Sequence, residues 1–217
     1  MKRFLSFLLL CCSALVVSAQ ITHTSKGAVD QNAETILKKA SDKISSGVVS
    51  FNVTMVNKDA NKKETARMQA SVTYSKGKYH VSFKDNEIYC DGTATWHWNK
   101  ESNDVVVNKI TDSEDDLMNP ALILTNYKKN FKSKYIRQEQ NGNAIVELTP
   151  KKSKSYYKIR FTINAKSGII QSMELYNYDS SRGEYTVSKF NSSAKGGDEQ
   201  FTFPKEKYPN VEIIDMR

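Results

Sequence analysis

The chain has 217 residues, 39% of them hydrophobic and 26% charged, with a formal net charge of +8. That length allows one all-β domain with a real apolar core, or two small ones. Two of its three cysteines, Cys11 and Cys12, are adjacent near the start and the third is Cys90, which excludes a disulfide-stapled scaffold.

Lys2 and Arg3 precede an almost wholly apolar run from Phe4 to Val17, and Val17-Ser18-Ala19 fits a small-residue cleavage site. Residues 1–19 are therefore expected to be a signal peptide cut after Ala19. The run is shorter than the ~20 residues a membrane span needs. Neither Cys11, preceded by Leu10, nor Cys12, preceded by Cys11, follows the small residue that a lipid-modified cysteine requires. Residues 20–217 then form one exported domain with Cys90 as its single thiol. Export argues against a nucleic-acid partner, so the excess lysine reads first as solvated surface.

Asp30 to Ser46 predicts a helix. Ala33, Ile36, Leu37, Ala40 and Ile44 fall on one stripe, Asp30 is placed to cap the start and Gly47 to stop it. Strands follow. Val49 to Asn57 alternates through Phe51, Val53 and Met55, and after the polar turn at 58–62 a second long strand ends near Tyr74. From Ala70 to Lys100 apolar residues recur at every second position: Val72 and Tyr74, Tyr79, Val81 and Phe83, Ile88 and Cys90, then Ala94, Trp96 and Trp98. Each run ends at a turn cluster, the pattern of antiparallel strands with one apolar face. Val105 to Ile110 closes a hairpin with the tryptophan strand.

An acidic stretch, Asp112 to Asp116, precedes an apolar helix from Asn119 to Tyr127 with Pro120 at its first turn. Leu122, Ile123 and Leu124 are consecutive, so this short helix must be gripped from more than one side or sit over a hollow. Further strands are expected at 134–138, 144–149, 156–164, 169–178, 185–191 and 211–215, giving eleven or twelve strands in all.

Chemistry-bearing clusters are sparse. His23, His80 and His97 lack zinc-site spacing and cysteine partners. The acidic stretch lacks the glycine-punctuated spacing of a calcium loop and reads as a solvated turn. Cys90, in an apolar strand, reads as an inert core thiol. No nucleophile–base set, phosphate loop or carboxylate pair stands out, so no enzyme activity, metal or cofactor is expected. Lys128, Lys129, Lys132 and Lys134, with Lys151, Lys152 and Lys154, form basic clusters that are either solvated loops or contacts for anionic headgroups or an acidic protein surface.

Eleven strands at ~4.8 Å spacing make a sheet on the order of 50 Å wide, which two helices cannot cover. The pattern alone leaves open a half-barrel over a hollow, a closed barrel, or a two-sheet sandwich filled by its own side chains.

The ordered set of segments resembles the outer-membrane lipoprotein carrier family, the LolA-like proteins of the Gram-negative periplasm. The residues carrying the likeness are the helix after the signal peptide, Tyr74 to Phe83 (Y-x-K-G-K-Y-x-V-x-F), and Asp91-Gly92-Thr93-Ala94-Thr95-Trp96-His97-Trp98. To these are added the Pro120 helix, Val146-Glu147-Leu148-Thr149-Pro150-Lys151, and Phe201-Thr202-Phe203-Pro204 with Val211 to Asp215 as a closing hairpin. The resemblance implies a mostly β fold, an incomplete antiparallel barrel of about eleven strands with a helical lid over an apolar cavity. It further implies a monomeric periplasmic carrier that takes acylated lipoproteins, or another envelope lipid, from an inner-membrane lipoprotein-releasing transporter toward the outer membrane. A regulatory or stress-sensing domain on the same half-barrel is the alternative.

On this reading the acyl-chain cavity is lined by Phe51, Val53, Met55, Val72, Tyr74, Tyr79, Val81, Phe83, Trp96 and Trp98, and the lid by Pro120, Leu122, Ile123, Leu124 and Tyr127. Family members tether the lid with an arginine before a proline. Here Ser75-Lys76-Gly77-Lys78 stands in that region, which leaves Lys76 and Lys78 as candidate tethers without the planar donor fork of arginine.

Overall fold

The computed structural model of the chain describes residues 30–110 and 120–217. The expected signal peptide, the acidic stretch at 112–116 and Asn119 lie outside the described residues. Helix α1 (Gln31–Ser45) leads into β1 (Val49–Lys58), β2 (Glu64–Ser75), β3 (Lys78–Phe83), β4 (Asn86–Cys90), β5 (Ala94–Asn99) and β6 (Asp104–Lys109). Two short helices, α2 (Pro120–Thr125) and α3 (Tyr127–Asn130), precede β7 (Phe131–Gln138), β8 (Asn143–Pro150), β9 (Tyr156–Asn164), β10 (Ile170–Asn177) and β11 (Arg182–Asn191). Two 3-10 turns, Asp198–Phe201 and Lys205–Lys207, come before β12 (Glu212–Asp215).

All twelve strands form one sheet, in the order β12-β6-β5-β4-β3-β2-β1-β11-β10-β9-β8-β7. Its outer strands, β12 and β7, are not paired with each other, so the sheet is open. Of the three architectures compatible with the alternation, the half-open barrel is the one formed. Every neighbouring pair is antiparallel except β12 with β6, which run parallel, Ile213 opposite Val105. The expected C-terminal hairpin is therefore corrected: Phe201 belongs to a 3-10 turn, and the last strand adds to the far edge of β6. Parallel neighbours need a crossover, and residues 192–211 supply it.

Asp30 does two jobs. One carboxylate oxygen accepts the backbone N–H groups of Asn32 and Ala33 at 3.1 Å each, satisfying two of the helix's unpaired donors. The other accepts the Tyr135 N–H at 2.8 Å, which pins α1 to β7. The expected 119–127 helix is broken at Asn126 into α2 and α3, and β7 begins at Phe131 rather than Lys134.

Apolar residues pack on both faces of the sheet. The inner face carries the main core, where Ala33, Leu37, Ala40 and Ile44 of α1 and Ala121, Ile123, Leu124 and Tyr127 of α2 and α3 meet residues of nine strands. The outer face of β4–β6 carries a second cluster: Tyr89, Ala94, Trp98, Val105 and Val107 under Phe203 of the C-terminal crossover.

Beside that second cluster, Glu87 holds a polar network. It accepts from Lys100 at 2.6 Å and from the Tyr89 hydroxyl, and lies 2.9 Å from His80 Nε2. Burial alone would push the Glu87 carboxyl up, but the hydrogen bonds from Lys100, Tyr89 and His80 outweigh it and hold the group below its usual range. A carboxylate with a depressed folded-state pKa contributes stability above its unfolded value of ~4.3, and that stability is lost as pH falls through the folded value. Urea unfolding followed into the acid range should thus show a falling midpoint, with a shallower fall for Glu87→Gln.

Candidate functional site

The register assigns each sequence-predicted residue to a face. One inner-face row runs Tyr135, Val146, Phe161, Met173, Tyr185, Met55, Met68 across β7 to β2. Another runs Phe51, Val72, Val81, Ile88, His97 across β1 to β5. Phe51, Val53, Val72, Tyr74, Tyr79 and Val81 share this face and are all buried in the core with α1 and the lid helices. Met55 and Phe83 share it too, but are only half-buried.

Trp96 and Trp98 are on the other side. Cys90 pairs with Thr95 across the Gly92-Thr93 turn, so Tyr89 faces Trp96 and Glu87 faces Trp98. A strand's side chains alternate strictly, so a two-residue turn that matches Cys90 to Thr95 gives the inner face to Thr95 and His97 and sends both tryptophans out. Trp98 packs against Phe203 (ring centroids 5.4 Å) and Tyr208 (4.3 Å) instead. The sequence expectation that they wall the same cavity as Phe51 and Val81 is corrected on this point.

Inner-face residues outside the expected cavity lining extend the open part of this surface. Val187, Met68, Ala70 and Ile88 are, like Met55 and Phe83, half-buried apolar side chains on β11 to β4. Together they make a continuous apolar strip running out from the closed core, and Leu122 of α2 is half-buried against that same core. Alternation could have found Met68 and Ala70, since both lie an even number of residues from Val72.

Helices α2 and α3, the segment expected to act as a lid, pack by their own apolar face. Ala121 and Leu124 are fully buried, Ile123 and Pro120 nearly so, and Tyr127 follows them into the core. Glu34 of α1 joins α1 to α3 and to the start of β7. The Tyr127 hydroxyl donates to Glu34 Oε2 at 3.1 Å, Lys128 Nζ lies 3.1 Å from the same oxygen, and the Ser133 hydroxyl donates to Oε1 at 3.4 Å. Burial first, and then the Glu34 carboxylate, push the Tyr127 hydroxyl well up from its ordinary range, so it stays a donor. Lys78 does not fill that role. It stands beside Tyr79 on the outer side of β3 and pairs with Asp198 of the C-terminal crossover at 2.6 Å. Lys76 is exposed in the β2–β3 turn at φ 48°.

Cys90 is buried opposite Tyr79. The inner surface built by these side chains is apolar.

Residues 78–204 match the family described as outer membrane lipoprotein carrier protein LolA. The chain belongs to the LolA family. The match takes in β3 to β11, helices α2 and α3 and the buried residues of the outer-face cluster, while α1, β1 and β2 lie before it, and the family's description is that of a carrier. No curated protein matches the sequence. Among solved structures, an uncharacterized conserved protein from Thermus thermophilus aligns at 11% identity with a TM-score of 0.59, over 85% of this chain and 99% of that one. A LolA superfamily protein from Nitrosomonas europaea aligns at 15% identity with a TM-score of 0.46, over 79% of this chain and 97% of its own. A chain of the Pseudomonas aeruginosa MucA/MucB complex aligns at 13% identity with a TM-score of 0.40, over 81% and 62% respectively. At 11% identity the likeness to the Thermus protein is one of fold.

Proposed function

We propose that this protein is a periplasmic carrier that shelters the acyl chains of lipoproteins on the inner face of its open sheet. Residues 1–19 would direct export, and residues 20–217 would form the single carrier domain. An inner-membrane lipoprotein-releasing transporter would load it, and it would deliver toward the outer membrane. No bond is made or broken.

The observation that carries this reading is the half-buried strip of Met55, Met68, Ala70, Phe83, Ile88 and Val187, continuous with a core that the two lid helices close. In the empty protein the lid's own Ile123 and Leu124 occupy the apolar space. An acyl chain of about fifteen methylenes gains on the order of 12 kcal/mol on leaving water. Re-exposing Ile123 and Leu124 costs about 3–6 kcal/mol. Cargo therefore outweighs the lid's own contacts, while the lid's return assists release, because each state fills the same surface with a different occupant.

Purified without detergent, the protein should bind a hydrophobic fluorescent probe saturably, and a diacylated peptide should displace it. Absence of saturable binding, or displacement by the unacylated peptide as readily, would contradict the reading. The lid tether gives a second expectation. Glu34→Ala removes the acceptor for Tyr127, Lys128 and Ser133, and should lower stability by about 1–2 kcal/mol while raising the probe association rate severalfold in stopped-flow fluorescence.

A further inference from the structure

The outer face of β9, β10, β11 and β1 carries a cleft that the carrier reading does not use. Register sets Lys158, Tyr176, Arg182 and Lys58 side by side across these four strands. Lys158, Tyr176 and Arg182 each stand three positions from a member of the inner-face row (Phe161, Met173 and Tyr185), and an odd step puts them on the opposite face. There the β1–β2 turn, the β10–β11 turn and the start of β9 line a cleft of about 570 Å³, a volume typical of small-ligand sites. Two of its lining residues, Tyr157 and Tyr178, are 41% and 69% exposed, with ring centroids 5.5 Å apart. Tyr176 lines it too, with Lys158 Nζ 4.3 Å and the Arg182 guanidinium 4.6 Å from its ring centre. The turn that carries Tyr178 is fixed by its own hydrogen bonds. The Ser181 N–H and hydroxyl donate to Asp179 Oδ1 at 2.9 and 2.6 Å, and Asn177 Nδ2 donates to Ser181 Oγ at 2.9 Å. The most exposed tyrosine is thus presented on an ordered turn.

The charges of this face are paired with one another. Lys58 meets Glu184 at 2.7 Å, Arg182 meets Glu174 at 3.4 Å, and Lys158 meets Glu147 at 3.1 Å. A charged ligand would have to break one of these pairs; a neutral one would not. We propose that the cleft binds a glycan, with the flat face of a neutral pyranose ring stacked on Tyr157 and Tyr178. The face of a tyrosine ring is electron-rich, and one face of a pyranose is a patch of weakly positive C–H groups. Sugar hydroxyls both donate and accept, and the cleft offers partners for each. The Asp59 and Glu184 carboxylates line it, each with about four acceptor sites. Asp59 is already oriented, its Oδ1 accepting the Asn61 and Lys63 N–H groups at 2.9 Å each. The donors are the Lys62 ammonium and the Arg182 guanidinium. Proline-rich peptides also dock on aromatic grooves, but proline has no N–H, so such a peptide brings little for the two carboxylates to accept. The proposal goes beyond the carrier reading, because it assigns a second ligand to the opposite face of the sheet and uses no inner-face residue.

The test is calorimetric titration of the full protein with cellotetraose, with the tetramer of N-acetylglucosamine, and with a proline decapeptide. Saturable binding of at least one tetrasaccharide, and none of the decapeptide, is the expected result. Tyr157→Ala with Tyr178→Ala should weaken it about tenfold or more, through loss of two ring contacts. Tyr157→Phe with Tyr178→Phe keeps both rings and should bind within a few-fold of the wild type. Hydrophobic-probe uptake should be the same in all three proteins, since the inner face is untouched. Absence of saturable binding by both tetrasaccharides would overturn the proposal, and binding of the decapeptide alone would replace it with a peptide site. Tetrasaccharide binding that the alanine pair leaves undiminished, or that the hydrophobic probe competes away, would overturn it too, because the sugar would then be held elsewhere on the molecule. A loss in the phenylalanine pair as deep as in the alanine pair would rule out stacking as the source of the binding.

Discussion

Replacing Trp98 with alanine should lower the unfolding free energy by about 3–5 kcal/mol and leave hydrophobic-probe uptake unchanged. The side chain is 6% exposed, and it forms the floor on which the C-terminal crossover rests through Phe203 and Tyr208. Phe203 also meets Tyr89 edge-on at 5.9 Å, so removing the indole opens a cavity among rings that cannot all shift to fill it. Loss of that floor should also release β12, whose only strand neighbour among the described residues is β6. Amide exchange should therefore rise first in the last strand and in β6. Uptake stays because every one of these contacts is on the face opposite Phe51 and Val81. Equilibrium urea unfolding and probe titration on the same sample separate the two effects, and a Trp98→Ala protein that folds but no longer binds probe would place the tryptophan in the binding surface after all.

The second large effect is the converse. Met55→Asp should reduce probe affinity about thirtyfold or more with a much smaller loss of stability. Met55 is half-buried between Tyr185 and Met68 on the inner face, so a carboxylate there keeps access to water in the empty protein. In the loaded protein the chain would lie across it. Either two or three methylenes stay out of contact, at about 0.8 kcal/mol each, or the carboxylate loses its hydration, which costs more. Met55→Leu, which conserves volume and polarity, should bind like the wild type. Equal affinities for the aspartate and leucine variants would remove Met55 from the site.

Much of this architecture is written in local patterns. The helix stripe from Ala33 to Ile44, the cap at Asp30 and the period-two runs define α1 and the strands closely, because each depends on residues within a few positions of one another. What the runs leave open is phase. Trp96 and Trp98 alternate as cleanly as Tyr79 and Val81, and only the number of residues in the Gly92-Thr93 turn decides which face they take. The inner-face site is therefore legible for eight of its ten expected residues by face, and six of those eight are closed within the core rather than open to a ligand. Long-range partners are harder still. Glu34 looks like any solvated charge on an amphipathic helix, and its hydroxyl donor Tyr127 is 93 residues away. Lys78 lies in the segment where the family resemblance places a tether, yet the outward side of β3 gives it to Asp198, 120 residues on. The parallel placement of β12 has the same cause, since adjacent apolar runs read by default as a hairpin and the true partner, β6, lies across the crossover.

The central claim is that hydrocarbon is held on the inner face beside the lid, and site-specific photo-crosslinking in cells tests it most directly. A photoreactive residue at position 83 is predicted to capture acylated species, identified by mass spectrometry, while the same residue at position 96, on the outer face, captures none. Capture of acylated species from position 96 with none from position 83 would contradict the account.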